Sequence, residues 1–403
     1  MKRKILICIA AGCLAAYVGS TATADSPPDQ WLGFRGDGDS VSSQASPPVT
    51  WSVETGENVA WTADLAGRGV SGPIVAGGLV ITTSSSGPQR DRLHVEAFDV
   101  QTGQPVWRRQ FWATGRTLIH PMSAVAANTP VSDGETVFAF FSSNDLAAID
   151  LDGNVRWIRG LQENYPAAGN DVGMSSSPTI AGDVVVVQSE AQGDAFAAAF
   201  DRQDGALRWR VERPRQSNWC SPIAIEQTID GEKVDAVVLQ SRDGFDVYRA
   251  DDGRRLWGAK IGCSPIPSAV FADQLYVPSG GLSAYAVSEA NGPIEAAWSE
   301  SRLQPSNASP IVHDGRAYVI NGAGVLSCAV VGAGEIAWRS RLGGTFWATP
   351  VIAGDHLYAV NSDGVVYVVE LSEDEGKVVQ EIALGEEIYA SPAVAEDALF
   401  LRG

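Results

Sequence analysis

The chain has 403 residues and a formal charge of −19, from 48 acidic against 29 basic side chains. A surface this negative repels phosphate backbones and anionic lipid, which argues against nucleic acid or a membrane surface as partner. Charged residues make up only 19%, beside 42 glycines and 12 tryptophans, a profile that favours many short strands and tight turns over helices. An all-β ring of this length can form one domain.

Taken in chain order, Lys2, Arg3 and Lys4 precede an apolar run from Ile5 to Val18 and an A-x-A site at Ala22-Thr23-Ala24. This pattern predicts an export leader cleaved after Ala24, and the run is too short and wrongly flanked to span a membrane. The alternative is a lipobox, Ala10-Ala11-Gly12-Cys13, with Cys13 lipidated. Either way the protein is expected to be exported, to the periplasm or the extracellular side of the cell envelope. The expected division is residues 1–24 as leader, 25–50 as a lead segment and 51–403 as one repeat domain. Downstream of the leader, Cys220, Cys263 and Cys328 are an odd count with no C-x-x-C, which indicates neither a disulfide framework nor a zinc site. They read as small buried hydrophobes.

From residue 72 onward one phrase recurs, Ser or Thr followed by Pro: Thr129-Pro130, Ser177-Pro178, Ser221-Pro222, Ser309-Pro310, Thr349-Pro350 and Ser391-Pro392. Gly72-Pro73 and a degenerate Pro267-Ser268 fill the two gaps. The spacing averages about 46 residues, close to the ~40–45 of a four-stranded propeller blade. After each phrase a short apolar strand meets a Gly/Asp hairpin turn and returns. A third strand then leads through an Asp–Gly turn to a tryptophan, as in "EAFDVQTGQPVW" (96–107). Trp107, Trp157, Trp209, Trp257, Trp298 and Trp338 mark the fourth strand of six units, and Gln380 stands near that slot in the seventh. The eighth unit starts at Ser391 and has two strands before Gly403. Trp61, in "ENVAWTADLAG", supplies its fourth strand from the front of the chain. The third is expected either near Trp51 (48–56) or not at all. The fold predicted is therefore all-β: an eight-bladed propeller of four-stranded antiparallel blades, with N-terminal sequence joining the C-terminal blade to close the ring.

The phrase "AFDVQTGQPVW" (97–107) matches the A-x-D-x-x-T-G-x-x-x-W docking motif at Ala97, Asp99, Thr102, Gly103 and Trp107, with weaker copies at 148–157, 199–209, 247–257 and 328–338. Over nearly the whole chain beyond the leader it resembles the PQQ-repeat propeller superfamily, which includes the quinoprotein dehydrogenases and the non-catalytic BamB subunit of the outer-membrane β-barrel assembly machine. The stretches "WLGFRGDGDSVSS" (31–43) and 49–73 look more like the secreted PQQ-like propellers of Planctomycetes. The resemblance speaks for fold, because the motif packs blades. One indole per unit is expected to wedge between neighbouring blades, its N–H on a carbonyl.

For activity the resemblance implies less. The quinoprotein enzymes hold their cofactor with adjacent disulfide-bonded cysteines, a carboxylate-bound calcium and a catalytic Asp; here no two cysteines are adjacent. His94, His120, His313 and His356 are scattered, with no second ligand at metal spacing, and Asp37 and Asp39 depart from the calcium-loop pattern. No catalytic, cofactor-binding or metal residue is expected. What remains is a stiff ring with variable loops. The two longest, 111–130 and 160–178, carry Trp112, Arg116, His120, Met122, Tyr165 and Met174. With Trp219, Trp347 and Tyr389, the aromatics two residues before three of the phrases, they form the expected interaction face. The leading expectation is a monomeric, non-enzymatic scaffold binding a protein, a peptide or a cell-envelope component. The alternatives are a PQQ- and calcium-dependent oxidoreductase, and a carbohydrate binder stacking sugars on Trp219, Trp347 and Tyr389.

Overall fold

The computed structural model describes residues 5–11, 30–229, 231–287 and 294–403. Among these, eight antiparallel sheets of four strands follow one another round an axis, one of them with a fifth strand added, and the single helical turn is Leu161–Glu163. Blades 1 to 7 occupy residues 74–112, 131–160, 179–212, 223–259, 270–300, 311–341 and 351–383. Blade 8 joins Ala393–Ala395 and Ala398–Arg402 to Ile5–Ile9 and Val59–Asp64. The innermost strands of blades 8 and 1 touch, so the ring is closed.

In six blades the innermost strand starts directly after the Ser/Thr-Pro phrase, where proline removes no ladder hydrogen bond; Gly72-Pro73 and Pro267-Ser268 take its place in blades 1 and 5. The hydroxyl has a use that reaches across blades. The backbone N–H of Gly72 donates to Thr129 Oγ1, that of Thr129 to Ser177 Oγ, and so on through Ser221, Ser268, Ser309, Thr349 and Ser391, at 2.9–3.1 Å. Seven bonds thus stitch the inner ends of the blades into a belt. The belt starts at Gly72, which has no side chain to receive the N–H of Ser391; a Cβ there would lie 2.8 Å from the Ser391 carbonyl oxygen. Ser221→Ala is expected to cost about 1–3 kcal/mol by orphaning the buried Ser177 N–H. Amide exchange checks this, and unchanged protection at Ser177 would refute the belt.

The tryptophans close the outer seams. Trp61, Trp107, Trp157, Trp209, Trp298 and Trp338 each donate Nε1–H to a turn carbonyl of the following blade, at 2.5–3.1 Å. Each ring lies flat on a glycine of that same turn: a Cβ on Gly103, Gly153, Gly205, Gly253, Gly334 or Gly376 would fall 2.3–2.8 Å from an indole carbon. The first five of these glycines also have φ between 67° and 83°, a left-handed turn that other residues rarely adopt. Trp257 differs, donating to Gln227 Oε1 of its own blade.

One expectation needs correction. The third strand of blade 8 is neither near Trp51 nor missing: Ile5–Ile9 fills it, antiparallel to both neighbours, while Trp51 is buried outside any strand. That strand lies within the stretch read as a leader; Cys13 and the Ala22–Ala24 site fall outside the described residues. The lead segment runs along several blades. Trp31 bridges Val75 of blade 1, the Leu32 carbonyl accepts Ser132 N–H of blade 2, and Val41–Ser42 adds a parallel fifth strand inside blade 7. It continues to blade 8, where Ser46 N–H donates to Asp397 Oδ1 at 2.7 Å. The channel is plugged by its own lead-in.

Candidate functional site: a funnel on the channel axis

Above the hydroxyl belt the channel opens into a cavity of about 470 Å³, within the size range of small-ligand and peptide sites. Phe34, carried by the lead segment, lines it alongside belt residues from Thr129 to Ser391. The walls are Trp219, Ile266, Trp347 and Tyr389 from the loops entering blades 4, 5, 7 and 8, with His120, Met122 and Val172 from the two long loops. The repeat explains this convergence. A residue two places before each phrase sits at the same height in every blade, so an aromatic written there faces the axis. Trp219 is fixed from two sides, its Nε1–H on the Gly173 carbonyl at 2.8 Å and its backbone N–H on Pro265 O at 2.8 Å.

The long loops form one wall because they are fastened together. His120 N–H donates to Val172 O at 3.1 Å, and Arg116 pairs with Asp171. His120 Nδ1 accepts the N–H of Met122 at 3.2 Å, which orients the methionine beside the cavity. Met122 and Val172 are each 39% exposed, a patch of apolar surface at the rim. Among the described residues no carboxylate lines the funnel, and no three His, Cys, Asp or Glu side chains converge as metal ligands. The belt hydroxyls each accept one N–H and retain their own proton. The funnel is therefore an aromatic-walled cup with His120 in its wall and hydroxyl donors round its base.

Beside Phe34, Arg35 is buried in the channel. Its Nη2 donates to Ala269 O at 2.8 Å, its Nε and Nη1 have no hydrogen-bond partner among the described residues, and burial pulls its pKa down to about 10. A second cavity of about 200 Å³ lies past the plug, along the first residues of the inner strands of blades 2 to 4.

A family model described as outer membrane protein assembly factor BamB matches residues 23–172, 166–265 and 281–379. The chain belongs to this family. BamB of Alkalilimnicola ehrlichii is 28% identical over 213 residues, covering 50% of this chain and 52% of that protein; this chain thus spans about half the length of that relative. BamB of Yersinia pestis is 23% identical over 337 residues, 81% of this chain and 71% of that one. Among solved structures, BamB from Moraxella catarrhalis aligns with a TM-score of 0.58 at 16% identity, covering 82% of this chain and 93% of that one. Quinohemoprotein alcohol dehydrogenase from Comamonas testosteroni aligns with a TM-score of 0.64 at 12% identity, covering 92% and 75%. At such identities both structures speak for fold alone.

In this BamB-family ring the residues expected on the interaction face separate into three groups. His120, Met122, Trp219, Trp347 and Tyr389 meet in the funnel. Trp112 stays exposed but ends the outermost strand of blade 1, beside Arg92, away from the axis, and Arg116 is engaged by Asp171. Tyr165 and Met174 are buried: Tyr165 stacks on Phe196 at 3.7 Å between ring centres, and Met174 packs under its loop with its N–H on Ser142 Oγ. Their loops are exposed, but these two side chains are the anchors that hold them down. Reasoning from sequence missed Phe34, Val70 and Ile266 as funnel residues. Val70 and Ile266 were findable, since they stand two places before Gly72 and Ser268, the belt residues of their units; Phe34 was not, because nothing in the repeat says that the lead segment enters the channel.

Proposed function

We propose that this protein is a non-catalytic binding scaffold of the cell envelope, whose funnel receives an apolar or aromatic segment of a protein partner. The observation that carries the reading is the funnel's chemistry: aromatic walls, a Met–Val rim and hydroxyl donors at the base, with no carboxylate among the described lining residues. BamB relatives named as outer membrane protein assembly factors support the same class of role. Among the described residues no helix is long and apolar enough to cross a membrane. The quinone reading of the fold does not fit these residues. A calcium-held quinone needs carboxylate ligands, and among the described residues the funnel walls supply none.

The test is capture from an envelope extract of the natural host, followed by titration of the captured partner. Trp347→Ala and Met122→Asp are each expected to weaken binding at least about tenfold, in keeping with a hot-spot tryptophan and an apolar rim. Trp112→Ala, off the axis, serves as the control and should change nothing. Equal affinity of all four proteins would remove the funnel as the binding surface. Dye-linked alcohol oxidation with added PQQ and calcium is expected to stay at background; turnover would overturn the non-catalytic assignment.

A further inference from the structure

The closing blade takes one of its strands from the very front of the chain. Ile5–Ile9 lies between Ala398–Arg402 and Val59–Asp64, pairing Leu6 with Arg402, Cys8 with Phe400 and, on the other side, Cys8 with Trp61. Leu6, Ile7, Cys8 and Ile9 are 0–2% exposed. Among the described residues Val59–Asp64 has no other strand beside it, so there its ladder depends on this one segment.

The segment obeys the rule of the other blades. In each complete blade the residue opposite the docking tryptophan is small: Ala97, Ala148, Ala199, Val247, Ala284 and Cys328, with Val368 opposite Gln380. Cys8 takes that place opposite Trp61. A bulge follows it between Cys8 and Ile9, as it does after Ala97, Ala148, Ala199, Val247, Cys328 and Val368. The residue two places before is apolar in nearly every blade, as is the one after, so the position accepts an apolar–any–small–apolar strand.

This strand is also the apolar centre of the stretch that reads as an export leader. Removal at Ala24 would leave two strand edges facing each other across an apolar cleft, with Trp61 and Phe400 on its walls. Unpaired N–H and C=O groups in such a cleft are a template for another chain. We propose that this gap is a strand-receiving slot: once export removes the leader, it takes an extended apolar–any–small–apolar segment of a partner protein by β-augmentation. The leader holds the place that the partner strand later occupies.

The test expresses the gene with its own N-terminus in a Gram-negative host, isolates the exported protein and identifies its first residue by mass. A fluorescent peptide of residues 2–11 carrying Cys8→Ala, which keeps the small position, is expected to bind it one to one and raise its melting temperature. The same peptide carrying Cys8→Asp should bind at least about tenfold more weakly, since it puts a charge against the buried indole. Full-length protein retaining residues 1–24 should take neither peptide. If the processed chain is recovered only as aggregate, refolding yield in the presence of each peptide gives the same reading, with rescue by Cys8→Ala alone expected. Equal binding or equal rescue by the two peptides would overturn the proposal. So would an exported protein that still carries Ile5–Ile9, or a dimer of processed chains that ignores both peptides.

Discussion

Arg213→Met is expected to destabilise the propeller by about 3–5 kcal/mol, because it strips the partner from a buried charge. Arg213 fastens blade 3 to blade 4. Its Nε donates to Glu190 Oε1 at 2.8 Å, its Nη2 to Leu239 O at 3.1 Å, and its Nη1 lies 3.4 Å from Asp246 Oδ2. Glu190 is fully buried, and burial pushes its carboxyl up to about 7 although Arg213 opposes the shift. The sign of the pH dependence follows. Between the unfolded value near 4.5 and about 7 the folded state holds more protons at this site, so its contribution to stability falls as pH rises through that window. Without Arg213 the charged form is still less welcome, so urea unfolding should show a smaller loss at pH 5 than at pH 8. Glu190→Gln, which keeps an acceptor for Arg213 and removes the titration, should flatten the dependence. An Arg213→Met loss that is the same at both pH values would mean that the pair is not what holds this seam.

Trp157→Ala should cost a comparable amount, about 3–5 kcal/mol, as expected for an aromatic truncated in a packed seam. The indole packs against Phe138, with ring centres 5.8 Å apart, donates to Arg202 O at 3.0 Å and covers Gly205. The reciprocal change tests the same contact from the other side. Gly205→Ala sets a Cβ 2.6 Å from the ring on a backbone at φ 69°, and should also open the blade 2–3 seam. Urea midpoints at constant slope measure both. A Trp157→Ala loss below about 1 kcal/mol would show that the indole decorates the seam instead of wedging it.

Most of the ring was legible because a propeller repeats its physics. The same steric demands at each seam call for the same residues, so tryptophan over glycine and hydroxyl before proline recur at blade spacing and can be counted. Funnel residues that lie on the repeat, Trp219, Trp347 and Tyr389, were legible for the same reason. Those on loops divided by a distinction that sequence does not carry. Tyr165 and Met174 look as exposed as His120 and Met122 in a polar, glycine-rich loop; only the fold shows that Tyr165 finds Phe196 and Met174 turns inward.

The apolar run Ile5 to Ile9 shows the limit most clearly. A basic start and a short hydrophobic stretch read as a leader, and four of the same residues, Leu6 to Ile9, satisfy the third-strand pattern of a blade; local sequence is compatible with both. The sequence by itself determined the number of blades, their seams and the return of the front of the chain to the last blade, since each is written in a local periodic code. Tertiary structure alone decided which segment completes blade 8, that the lead segment plugs the channel with Phe34 and Arg35, and which loop side chains reach the axis. Those outcomes depend on contacts between residues hundreds of positions apart, and such contacts leave no period to read.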